Sequence, residues 1–240
     1  MVSLLPLLVA VAVASAATPT ASPAPPSLPT PLTIIGTTHT GPCATIVNHA
    51  NGAIGAALDD DRSLAILAHN MRAVDLDMLS AMQRRNAIDA MMDQAGAIRK
   101  EARAADADIK QLRAAAEAAH DPERKAELKA FADALGGAIA RQDKAATEFM
   151  GSVTVMQGRV ERAEANAIMA ASNQQPPALN AQEAVDQEQA FPAAIAPPPQ
   201  VGQYDRFFAQ LSDGLTAKSS DILRDEGVAA DHSITATSGC

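Results

Sequence analysis

The sequence predicts an all-α fold: a long antiparallel helical hairpin, coiled-coil-like, with one or two shorter helices packed on it and Pro-rich segments before and after. Three observations predict it. Hydrophobic residues make up 48% of the 240 residues while aromatics reach only 2%, so the apolar content is alanine and aliphatic. Alanine loses no side-chain entropy in a helix, whereas a sheet wants β-branched and aromatic residues. Two long proline-free stretches then carry apolar residues at alternating spacings of three and four. Between them His120-Asp121-Pro122-Glu123 reads as a stop and a start, with Asp121 placed to cap, Pro122 at the first helical position and Glu123 favoured by the helix dipole.

The N-terminus comes first. Leu4 to Val13 is a short apolar run followed by Ala14-Ser15-Ala16, a small-x-small cleavage pattern, so residues 1–17 read as a signal peptide and the protein as exported, to a periplasm or the extracellular space. The run is shorter than the roughly twenty apolar residues a bilayer span needs, so no stable membrane span is expected after cleavage. No Asp, Glu, Lys or Arg precedes Asp59. Residues 18–42 are rich in Pro, Thr, Ser and Ala and are expected to form a solvated leader that buries no core.

The hairpin domain is expected over residues 43–171. Val47, Ala50, Ile54 and Ala57 sit at helical spacing and predict a short buried helix, although Asn51-Gly52 would also serve as a turn. Asp59-Asp60-Asp61 then supply capping carboxylates for a helix running from Arg62 to Ala119. Its first stripe is Leu64, Leu67, Met71, Val74, Met78 and Ala81; its second is Ile88, Met91, Ala95, Ile98, Ala102, Ala105, Ile109, Leu112 and Ala116. The two stripes differ in phase, with a slip near Arg85. After Pro122 the stripe is Leu128, Ala132, Leu135, Ile139, Gln142, Ala146, Phe149, Val153, Met156, Val160, Ala163, Ala167 and Ala170, with Gln142 its one polar member. Alanine-rich seams bury little area per residue, so a further helix or a second chain is expected to complete the core.

Residues 172–202 form a Pro/Gln-rich linker, and residues 203–226 regain helical pattern with Tyr204, Phe207, Phe208, Leu211, Leu215 and Ile222 near one face. That face is expected to anchor on the hairpin, or else to be a separate partner-binding helix. Residues 227–240 read as a flexible polar tail.

Composition and motifs exclude several functions. A net charge of −9 without basic clusters or aromatic-basic interleaving leaves no nucleic-acid footprint. No nucleophile with a neighbouring base, paired carboxylates on a concave fold, phosphate loop or haem-attachment motif stands out, so no enzyme, no catalytic residue and no cofactor is expected. Gly136-Gly137 reads as a flexible or close-packing point. Glu117 and His120 form one Glu-x-x-His pair, which di-iron bundles use twice; an exposed helix terminus is the plainer reading. Met71, Met78, Met82, Met91 and Met92 could bind Cu(I) by their thioethers or simply fill the core. The two cysteines, Cys43 and Cys240, form a possible disulfide joining the ends of the mature fold, although a C-terminal Cys could equally pair between chains. The expectation is an exported helical scaffold or interaction module with a protein partner or self-association. The alternatives are a periplasmic metal-binding bundle using His69 or His120, and an envelope chaperone.

Overall fold

The computed structural model describes residues 30–36, 41–172 and 203–238. The expected signal peptide, most of the leader and linker, His39 and Cys240 lie outside the described residues. Within them the chain is all-helical: α1 (Pro42–Ala73), α2 (Ala81–Ala118), α3 (Pro122–Ser172) and α4 (Gln203–Ser238), packed as a four-helix bundle.

Short connections force the first three helices to alternate in direction. Arg113 pairs with Asp133 and Arg99 with Asp143, so α3 descends along α2 as the expected antiparallel hairpin. His232 meets Glu127 while Lys218 meets Glu148, so α4 runs antiparallel to α3. Arg72 pairs with Asp213, and the Ser212 hydroxyl donates to the Ala68 carbonyl, closing α4 against α1. Contacts link α1 with α2, α2 with α3, α3 with α4 and α4 with α1, while α1 also touches α3 across the diagonal.

The nine stripe positions expected from Ile88 to Ala116 are the buried residues of α2. On α4, Tyr204, Phe208, Leu215 and Ile222 are buried and Phe207 and Leu211 partly so; Phe208 meets Phe149 at 6.5 Å and Phe207 edge-on at 5.3 Å. This face is the anchor on the hairpin. Gly136 lies against Ile109 of α2 and Gly137 against Asp225 of α4, so the glycine pair is a point of close packing on both sides of α3.

Three boundaries differ from those the sequence suggested. Asp59–Asp61 do not begin a helix; α1 runs through them, because Ile54, Ala57, Asp61, Leu64 and Met71 continue one stripe and Asp61 occupies a seam position. The break falls instead at Val74–Ser80, where Ser80 and Gln83 form a reciprocal capping box that starts α2. The phase slip is thus the join between two helices. At the far end α4 continues past Gly227 to Ser238, since Ala229 and Ala236 extend its buried stripe.

Residues 30–36, expected in the solvated leader, are tied down. Asn51, in the middle of α1, accepts from the Ile35 N–H (2.8 Å) and donates to the Ile35 carbonyl (3.0 Å), clamping extended backbone onto the bundle. Leu32, within this strap, is buried in the core.

Candidate functional site: a buried carboxylate layer

The hydrophobic core is divided. One cluster gathers Ile54, Ile109, Phe131 and Leu135; the other gathers Leu67, Ile98, Phe149 and Phe208. Between them lies a polar layer to which every helix contributes. On α1, Asp60 and Asp61 fall between Ala57 and Leu64; on α3, Gln142 falls between Ile139 and Ala145; on α4, Glu226 falls between Ile222 and Ala229. Glu101, between Ile98 and Ala102, brings α2 to the same level from the exposed side.

Burial here is complete. Asp60, Gln142 and Glu226 have no exposed surface and Asp61 only 5%. An ionised carboxylate in such a place needs a counter-charge or several donors. The charged groups acting on Asp60 are Glu101, Asp61 and Asp59, and the one acting on Glu226 is Asp61, all of the same sign. Burial first, and these like charges second, push Asp60 up to about 8; burial, and a hydrogen bond to Asp61, push Glu226 up to about 8 as well.

The hydrogen bonds place the protons. Gln142 donates from Nε2 to Asp61 Oδ1 (2.8 Å) and to the Ala57 carbonyl (3.0 Å), and Thr30 of the strap donates its hydroxyl to Glu226 Oε2 (2.8 Å). Counting only amide and hydroxyl donors, Asp61 Oδ2, Glu226 Oε1 and both oxygens of Asp60 are left without a partner. A proton on Glu226 satisfies two of these at once, since its O–H then donates to Asp61. A proton on Asp60 lets it donate to Glu101. The layer is therefore two carboxyl–carboxylate pairs, Asp60–Glu101 across the α1/α2 seam and Asp61–Glu226 across the α1/α4 seam. Gln142 Oε1 and the second oxygen of Asp60 stay buried without a donor.

Because adjacent aspartates turn to different seams, the acids do not converge on one point. Among the described residues no group of three or more His, Cys, Asp or Glu could hold a metal ion. The other sequence candidates are scattered. Glu117 is held by Lys125 at 2.6 Å, which lowers its pKa, and His120 stands exposed in the α2–α3 turn. His69 is half-buried on α1, and His49 pairs with Asp108 at 2.8 Å. Met71 and Met91 are core, whereas Met78 and Met82 are 78% and 77% exposed at the α1–α2 turn. Cys43 is disulfide-bonded at the start of α1; its expected partner, Cys240, lies outside the described residues.

Sequence reasoning noticed Gln142 as an interruption and Asp59–Asp61 as an acidic run, but it did not join them. The signal was there: Asp61 keeps the period of Ile54, Ala57, Leu64 and Met71, and Gln142 keeps that of Ile139 and Ala146.

No helix among the described residues is long and apolar enough to cross a membrane. No protein-family model matches the chain, and no curated protein or solved structure matches it either.

Proposed function

We propose that the chain is an exported, non-catalytic helical scaffold that works by binding another protein. The observation that carries this reading is an apolar groove between α3 and the start of α4, lined by Val155, Met156, Val160, Tyr204 and Phe207, with Arg159 among its lining residues. Val155 is 56% exposed there, and the exposed Met78 and Met82 stand at the same end, where Asp77 meets the backbone N–H groups of Tyr204 and Asp205. Exposed apolar side chains gathered beside a groove mark an interaction surface rather than a solvated face. The occupant that suits it is an amphipathic partner helix, its apolar face in the groove and an acidic residue toward Arg159. A two-fold pairing of copies through this groove would instead bring two Arg159 side chains together.

The test is site-specific photo-crosslinking in the native host from position 155, with position 106 on the far side of α2 as control, followed by binding of the purified partner. One foreign protein captured from position 155 alone, and lost with Val155→Asp, supports the reading. Equal capture from both positions, crosslinks only to the chain itself, or purified capture products that do not bind would contradict it.

A further inference from the structure

We propose that the carboxylate layer is a proton-operated latch: with Asp60 and Glu226 carrying protons it fastens α1 to α2 and to α4, and loss of those protons loosens α4. The argument is geometric. Asp60 and Glu226 are fully buried, and each faces another carboxyl group rather than a cation. From α2, Asp60 meets Glu101; from its own helix, Asp59 and Asp61. Glu226 meets Asp61 from α1 and the neutral Thr30 hydroxyl from the strap, while α3 presents the neutral Gln142. Arg141, next to Gln142 on α3, is engaged by Asp225 at 2.6 Å.

A second observation fixes where the proton matters. Gln142 is wholly buried with its amide nitrogen committed to Asp61 and to the Ala57 carbonyl, so it supplies no donor to Glu226 and its own Oε1 remains unpartnered in the layer. Among the described residues the only hydrogen available between Asp61 Oδ2 and Glu226 Oε1 is the acid proton itself. Removing it leaves two buried carboxylates face to face, and loss of the Asp60 proton leaves one buried carboxylate against the exposed Glu101. Water must then enter between α1 and its neighbours. The part that gives way first is the second half of α4 around Glu226, whereas the strap keeps its hold, because the Thr30 hydroxyl donates to Glu226 in either state and Asn51 clamps Ile35. Burial and like charge push both acids up to about 8, so the latch opens in mildly alkaline conditions.

The experiment is carboxyl-carbon NMR titration of the intact chain, combined with limited proteolysis at pH 5.5 and pH 9 with a protease equally active at both. Two carboxyl groups are expected to titrate near pH 8, one vanishing in Asp60→Asn and the other in Glu226→Gln, and cleavage in the second half of α4 is expected to rise at least tenfold at pH 9. Glu226→Gln, whose amide donates to Asp61 at any pH while its oxygen still accepts from Thr30, is expected to suppress most of that rise. All carboxyl groups titrating below about pH 5.5, cleavage unchanged between the two pH values, or a layer that releases a bound cation on treatment with EDTA would each overturn the proposal.

Discussion

Gln142 shows how one side chain decides the chemistry of a core. An amide among aliphatic neighbours costs free energy unless it is hydrogen-bonded, and Gln142 has two bonds from one nitrogen, to Asp61 and to the Ala57 carbonyl. Gln142→Ala takes the donor from Asp61 Oδ1, leaves the Ala57 carbonyl with its helical partner alone and opens a cavity, so it is expected to destabilise the bundle by about 2–4 kcal/mol, measured by urea unfolding at pH 5.5. A loss below about 0.5 kcal/mol would mean that the amide is not holding the layer. Gly52 offers the opposite balance. A Cβ there would lie 2.4 Å from Asp108 Oδ2, so Gly52→Ala is expected to push Asp108 off His49. That half-exposed pair is worth at most about 1 kcal/mol, while alanine in a helix gains about as much over glycine. The net change is expected within about 0.5 kcal/mol of zero, with the His49 ring resonances displaced; unmoved resonances would show that the carboxylate adapts without leaving the histidine.

Among the elements, the buried stripe of α2 was legible in the sequence, though its start at Ala81 was not, and α1 was not read as one helix, for a physical reason. The stripe of α2 is uniformly apolar, so its period reads directly, whereas α1 carries an Asp at a seam position and an Asn-Gly pair in its middle. Each of those polar residues resembles a cap or turn until its partner is known. Asn51 grips the Ile35 backbone, and Asp61 meets Gln142 and Glu226, contacts separated by long stretches of chain. Local pattern cannot register such pairings. The α1–α2 turn is built the same way. Leu76 is buried, its N–H donates to Asp205, Arg84 donates to the Leu76 and Leu79 carbonyls, and the Arg84 guanidinium lies 4.4 Å from the centre of the Tyr204 ring. Asp77 in turn accepts from the Tyr204 and Asp205 N–H groups, capping α4 from another part of the chain. Asp77→Ala is expected to cost about 1 kcal/mol and to speed amide exchange in the first turn of α4; unchanged exchange there would show that the cap is not needed.

At the scale of the whole molecule, two features govern stability. The first is covalent. Pairing of Cys43 with Cys240 would close a loop of nearly two hundred residues, for which loop entropy gives about 5 kcal/mol before strain. Reduction is therefore expected to lower the unfolding temperature clearly, and mass spectrometry of unreduced peptides should recover residue 43 linked to residue 240 of the same chain; a covalent dimer on a non-reducing gel would contradict that pairing. The second feature is the protonated layer, which divides a core that would otherwise be continuous and ties the long-range order of the bundle to pH. Asp60 and Glu226 bind protons far more tightly in the fold than in the unfolded chain, where such groups titrate near 4. Their stabilisation is complete below about pH 4 and is lost as the pH rises through about 8. The slope is at most about 1.4 kcal/mol per pH unit for each acid. Surface ion pairs such as Lys125–Glu117 work in the other sense, weakening as the pH falls toward the carboxylate range, but each is exposed and contributes little.

The most direct test of the protonated layer is the urea midpoint of the oxidised protein at pH 5.5 and pH 9, at constant ionic strength, beside the Asp60→Asn and Glu226→Gln variants. The midpoint is expected to fall markedly with pH in the parent protein and by a smaller step in each variant. A parent midpoint that is flat, or that rises between pH 5.5 and pH 9, would mean that the buried acids are not protonated in the fold and that the layer is held together in some other way.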